Sequence, residues 1–318
     1  MARPSKKQST KTQAKVKTRS EKRLPPRLSY TQLSTAQRCW TRFFWQYILG
    51  LRKVTPSPGL LTGSLLHEAY DTYMFKGRKA HDDAYDKIDE MANEALEAGV
   101  EQDVVHQTAD TAQVTMGDYL PVADRIDQWE LVLPNGKKQG KCEVNGEYEL
   151  QLSDGTTWPL FFKLDALVRI DGHVYLLENK FSQRMESKGL LHDLQILLYQ
   201  AVWNAMAKKK DRITGVIYNI VGVRGRKKDG DFSARRADTK LVIRETIHRG
   251  PEEEALCLKN AAAVAMDIKR QAKVESWPMN ARKECDWDCD FVGMCLGVRA
   301  GATVREYVET GQYERRFK

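Results

Sequence analysis

The sequence predicts an α/β protein in which a mixed central sheet is flanked by helices. Three observations carry this. Helical apolar spacing dominates residues 59–128, four apolar strand-like runs follow over 129–181, and helix, strand and helix patterns return through 190–273. The 318 residues can bury a sizeable core, as one large domain or two. Hydrophobic content of 42% and charged content of 30% are those of an ordinary folded chain, and no apolar run reaches the length of a membrane span.

Taken in order, residues 1–27 hold ten Lys or Arg against Glu21 alone, while the rest holds 41 basic and 42 acidic side chains. The net charge of +8 therefore belongs to a tail. That tail is poor in apolar residues and is expected to be disordered. It lacks the apolar core of a secretory signal; a phosphate-binding arm, a solubilising extension and a targeting sequence all stay open. Leu28-Ser29-Tyr30 opens a first helix with a Ser or Thr cap. Aromatics from Trp40 to Tyr47 are spaced for core packing, and Pro56 and Pro58 mark a loop. Gly59 to Met74 reads as a helix with Leu61, Leu65, Ala69 and Tyr73 in one stripe; residues 79–98 and 101–128 give two more.

Strands at about 129–134, 141–152, 157–170 and 173–181 come with the turn dipeptides Asn135-Gly136, Asn145-Gly146, Asp154-Gly155 and Asp171-Gly172, which implies a meander. A helix over 190–208, a strand over 213–221, a basic loop from Arg224 to Asp231, a strand over 240–247 and a helix over 251–273 complete the core. The loop suits either a phosphate contact or a solvated hairpin tip. Residues 299–318 are polar and expected to be loosely held. No repeat and no phosphate-binding P-loop is present, so the chain carries no ATP-driven motor of its own.

The chemistry concentrates between Phe162 and Lys180. Asp165 lies on one apolar strand and Glu178-Asn179-Lys180 ends the next. A period of two puts Glu178 and Lys180 on one face and Asn179 on the other, and a hairpin brings Asp165 near. Two carboxylates and an ammonium converging on a sheet edge would hold Mg²⁺ beside a positioned water, which is equipment for phosphodiester hydrolysis. The same residues also suit a charged solvent face. The nearly continuous apolar flanks argue for burial, and a buried carboxylate needs a partner or a metal. Glu143, Glu147 and Glu149 either extend such a site or face solvent. Gln195 and Tyr199, four apart, share a helix face. His67 lies off the apolar stripe of its helix.

These blocks resemble the PD-(D/E)xK nuclease superfamily, and within it the RecB-like branch, over residues 28–297. The matching residues are Asp165, Glu178 with Lys180, Gln195 with Tyr199, and His67 after Gly63. Leu164 stands in place of the name-giving Pro, and Asn179 where an apolar residue is commoner. The resemblance implies a restriction-endonuclease-like core with catalytic Asp165, Glu178 and Lys180. It implies Mg²⁺ or Mn²⁺ on Asp165, Glu178, the Asn179 carbonyl and His67, with Gln195 and Tyr199 contacting DNA or backing the metal ligands. The implied activity is a DNA exonuclease acting on single strands or DNA ends, in recombination, repair or replication. The implied setting is the cytoplasm of a bacterial or phage-infected cell, with recombination or replication proteins as partners and no membrane. The competing reading is a non-catalytic DNA-binding or assembly subunit of a recombination or CRISPR-adaptation complex.

Three of the six cysteines cluster as Cys285-x3-Cys289-x5-Cys295. Such spacing suggests metal ligation more than disulfides. Three thiolates leave a tetrahedral zinc or a four-cornered iron–sulfur cluster one ligand short, and Cys39 is the best fourth. The pattern resembles iron–sulfur RecB-like nucleases, including CRISPR-associated exonucleases. It implies a [4Fe-4S] cluster on Cys39, Cys285, Cys289 and Cys295 that staples an added helical section to the core. The first gap is three residues where two is commoner, and Trp40 stands where Pro commonly follows the first Cys. Zn²⁺ is the rival, and four unrelated thiols the plain alternative. Cys142 and Cys257 read as core residues. The expected organisation is a basic tail over 1–27, a nuclease domain over 28–298 and a polar tail over 299–318.

Overall fold

A computed structural model describes residue 20 and residues 23–53, 58–77, 79–134 and 140–316. Most of the basic tail, Pro56 and the Asn135-Gly136 turn lie outside the described residues. The chain begins with β1 (Leu28–Ser29), α1 (Tyr30–Arg38), α2 (Trp40–Phe43), a π-helical turn (Phe44–Ile48) and β2 (Leu51–Lys53). Three long helices follow, α3 (Pro58–Lys76), α4 (His81–Glu97) and α5 (Gln102–Ile126). Then come β3 (Glu130–Val132), β4 (Val144–Gln151), β5 (Thr157–Leu164), β6 (Ala166–Ile170), β7 (His173–Ser182), α6 (Leu194–Met206) and β8 (Ile213–Gly222). The C-terminal third adds α7 (Asp238–Leu241), β9 (Val242–Ile247), α8 (Pro251–Val274), α9 (Cys285–Asp288), α10 (Val292–Arg299), α11 (Val304–Glu309) and β10 (Tyr313–Arg315).

The central sheet has five strands in the order β3-β6-β7-β8-β9 and is mixed: β7 and β8 run parallel and the other pairs antiparallel. A second sheet has the order β1-β5-β4, and β10 pairs with β2. Helices cover both faces of the central sheet. Buried side chains of α3, α4 and α5 form one cluster with Val221 and Val223 of the β8 end. Leu176, Tyr218 and Ile220 form another with α1, α6 and α8. No described helix is long and apolar enough to cross a membrane.

Four expectations are corrected. The run 157–170 is two strands, broken at Asp165, where the chain leaves one sheet and enters another. The meander is therefore split: β4 pairs with β5, and β3 pairs with β6. Asn145-Gly146 is no turn but lies inside β4 opposite Lys163 and Phe162. A Cβ on Gly146 would come within 2.9 Å of the Phe162 ring, so the residue serves close packing across the strands. The stretch after residue 298 is not a loose tail. β10 pairs with β2, and the buried Tyr313 stacks on Phe291 at 5.4 Å. Smaller differences are a short 3-10 turn over Leu190–His192 ahead of α6, and α7 where the last strand was expected to begin. Ser29 caps α1 by a capping box with Gln32, at the position the sequence marks.

Candidate active site

Asp165 occupies the seam between β5 and β6, flanked by the fully buried Leu164 and Ala166. Its Oδ2 accepts the Asn179 backbone N–H at 2.9 Å and lies 3.6 Å from His67 Nδ1. Glu178 and Asn179 come from β7, His67 from α3, and Gln195 and Tyr199 from α6. These six residues line one cleft of about 670 Å³. Gln195 Nε2 lies 3.5 Å from the Tyr199 hydroxyl, to which it donates.

Lys180 lies on the same strand face as Glu178, yet it does not line the cleft. Its ammonium donates to Asp193 Oδ2 at 2.6 Å and sits 5.3 Å from the Tyr218 ring centroid. Asp193 is the N-cap of α6, its other oxygen accepting from the Ile196 N–H at 3.3 Å. One carboxylate thus ties Lys180 of β7 to the start of the helix that carries Gln195 and Tyr199. Sequence reasoning missed this residue; an Asp just ahead of an apolar helix is the signal that marks it.

Burial dominates the electrostatics. It pushes the Glu178 carboxyl well above its ordinary value; the nearby Asp165 charge adds to the effect and Lys180 opposes it. Burial likewise raises Asp165 against the pull of His67 and the Asn179 amide. Two acids that both resist ionisation in one cleft mark a site short of positive charge. On another wall, Asp71 accepts the N–H groups of Cys142 and Glu143 at 3.0 and 3.1 Å, and burial still pushes it up to about 6. Glu143 also lines the cleft, ion-paired with Lys163, whereas Glu147 pairs with Arg27 at 2.9 Å.

The polar residue between Glu178 and Lys180 has a structural reason. Asn179 is buried and its side-chain oxygen accepts from Asn219 Nδ2 at 3.0 Å. Asn219 also donates to the Tyr119 hydroxyl at 2.8 Å and accepts from Arg244 Nε at 3.0 Å. Arg244 is ion-paired with Asp127, which accepts from the Tyr70 hydroxyl at 2.7 Å. This network fixes the strand whose backbone N–H holds Asp165.

Cys39, Cys285, Cys289 and Cys295 line a single cavity of about 130 Å³, and none of the six cysteines is joined in a disulfide. Burial raises the Cys289 and Cys295 thiols, and the neighbouring thiols add to it. Direct contacts also join this region to the N-terminal helices. Arg38 is ion-paired with Asp288, Thr41 N–H donates to the Pro278 carbonyl at 3.3 Å, and Phe44 stacks on Trp277 at 5.3 Å. Among the described residues, no three His, Cys, Asp or Glu side chains are disposed as a formed metal cage. What the four thiols share is one cavity. Cys142 and Cys257 lie outside it.

Two solved structures are similar in outline. That of a protein named SSO0001 is 13% identical, covers 77% of this chain and 87% of its own, and has a TM-score of 0.33. That of a protein from Eubacterium rectale, provisionally described as an exonuclease, is 14% identical, covers 88% and 89%, and has a TM-score of 0.41. Likenesses this distant bear no weight in assigning activity. No curated protein matches. Residues 27–296 match the sequence profile of the PD-(D/E)XK nuclease superfamily. With that match spanning well over half of its length, the chain belongs to the PD-(D/E)XK nuclease superfamily.

Proposed function

We propose that this nuclease-superfamily member is a metal-dependent DNA exonuclease of the RecB-like branch, acting on single strands or DNA ends in recombination, repair or replication. The observation that carries the proposal is the pair Asp165 and Glu178, two half-buried carboxylates in one cleft whose proton affinities are raised by desolvation. A hard divalent cation relieves such a pair. By chemical type the donors suit such an ion: Asp165 and Glu178 would supply oxygens, the Asn179 carbonyl another, and the His67 ring a nitrogen that would favour Mn²⁺ over Mg²⁺. When bound, the ion lowers the pKa of a water and polarises the phosphoryl oxygen.

The protein groups do the rest. Lys180, held by Asp193, brings positive charge beside Glu178 and steadies the charge that develops during attack. Gln195 and Tyr199 present an amide and a phenol to the strand. Burial pushes the Tyr199 phenol up to about 12, so it stays a neutral donor at working pH. We assign the shared thiol cavity to a [4Fe-4S] cluster on Cys39, Cys285, Cys289 and Cys295. Arg38, Arg42 and Arg299 line that cavity, which suits a group of net negative charge. Zn²⁺ is the other ion that four thiolates would hold.

Incubation with end-labelled single-stranded DNA tests the activity. Short labelled products should appear only with Mn²⁺ or Mg²⁺, and a circular single strand should be spared. Equal cleavage of circles would remove the exonuclease assignment, and no metal-dependent cleavage at all would remove the enzyme. A second assay addresses Asp193. Asn caps a helix as well as Asp does, so Asp193→Asn should keep the melting temperature while kcat falls about tenfold or more and KM stays put. A matched loss of stability and activity would mean that Asp193 serves only the cap.

A further inference from the structure

A second cleft of about 510 Å³ adjoins the first. Gly59 and Gly63, one turn apart on α3, line both. A Cβ on either would meet nothing within 4 Å. Glycine weakens a helix, and packing does not demand it here. What it provides is a rim that another chain can approach at backbone distance. His67 and Phe181 continue the partition: their rings meet edge-on at 5.2 Å, the imidazole on the acidic side and the phenyl in the second cleft.

The far wall of the second cleft is basic and polar, with Arg224, Arg226, Gln107, Thr111 and Gln183. Arg224 is engaged, donating to Asp118 at 2.7 and 3.3 Å, and so anchors its loop. Arg226 is held by a more exposed set. Its guanidinium lies 4.4 Å from the Phe232 ring centroid and donates to Thr111 Oγ1 at 3.5 Å, to the Gly230 carbonyl at 3.2 Å and to Asp110 at 2.8 Å, a side chain 58% exposed. An ion pair that wet is weak. A phosphate can replace Asp110 without stranding a buried charge, because the freed carboxylate returns to water.

We propose that the second cleft carries the nucleic-acid strand beyond the reacting phosphate. The sugar–phosphate backbone crosses the Gly59 and Gly63 rim, and a phosphate docks on Arg226. This rests on the nuclease reading above and adds where the unreacted part of the strand lies. Hydroxyl and amide donors beside an arginine engage the backbone and carry no sequence information.

The test is a metal-free binding titration of oligothymidylate over a range of salt, paired with cleavage of the same oligomer and of a dinucleotide in Mn²⁺. Arg226→Ala should weaken oligomer binding and flatten the plot of log affinity against log salt by about 0.7, the share of one phosphate on a single strand. Arg226→Lys should restore the slope. Gly63→Leu, a good helix former set in open space, should block the rim and weaken oligomer binding and cleavage about tenfold or more, with a smaller effect on the dinucleotide. Wild-type affinity and slope in both Arg226→Ala and Gly63→Leu would overturn the proposal. A wild type that cleaves while these variants match it removes the strand path alone; a wild type without metal-dependent cleavage removes the nuclease reading as well.

Discussion

Glu178→Gln and Asp165→Asn should each lower cleavage by about a thousandfold or more while raising the melting temperature of the metal-free protein. The two effects share a cause. Burial raises both carboxyls, so above the unfolded value the folded state binds more protons than the unfolded chain. Stability is then intact at acid pH and declines as pH climbs from the unfolded value toward the raised folded one. The neutral amides carry no charge and escape that penalty. Thermal melts at pH 5 and pH 8 read it directly: the advantage of the amides should be larger at pH 8. Adding Mn²⁺ should reverse the order, since an ion that binds only the folded wild type stabilises only the wild type. Lys180→Ala should cost cleavage on the same scale, and full activity in that variant would sink the assignment. Variants that melt lower than wild type at pH 8 would show that the acids are structural.

Loss of the thiol set should have the largest effect on stability. If Cys39, Cys285, Cys289 and Cys295 hold a cluster, the bond spans 245 intervening residues, and closing so long a loop removes about 5 kcal/mol of chain entropy from the unfolded state. Cys39→Ser or Cys289→Ser should therefore abolish absorbance near ~400 nm, which an iron–sulfur group would supply, and lower the melting temperature by about 10 °C. The direct contacts around Arg38, Thr41 and Trp277 explain why a folded core should survive the change. A colourless, zinc-loaded protein from anaerobic preparation would replace the cluster by Zn²⁺. Serine variants that melt like wild type would remove the staple altogether.

Much of the architecture was legible because the periodicities are strong. α3, α4, α5, α8 and β7 fall close to where apolar spacing puts them. What escaped was tertiary. Nothing in Leu164-Asp165-Ala166 resembles punctuation, so a break between sheets hid inside one apolar run. Asn145-Gly146 is a turn signal in isolation, and only the Phe162 ring across the strand shows why Gly146 sits there. The C-terminal strand depends on one aromatic, Tyr313, among charged neighbours too polar to suggest an anchor. In the candidate site, the residues Asp165, Glu178 and Lys180 could be named from their order along the chain. The link from Lys180 to Asp193 could not, because it joins a strand to a helix cap 13 positions on. Asn179 looked out of place until Asn219, Tyr119 and Arg244 gave its amide a reason.

The position of Asp165 has a broader consequence. The acid belongs to neither layer: β5 before it is bonded into one, β6 after it into another, while Glu178 rides wholly on the second. The gap between the two carboxylates is thus set by how the layers are stacked. On the proposed reading, affinity for a metal becomes a property of the joint, open to adjustment by repacking far from the opening where a strand would enter.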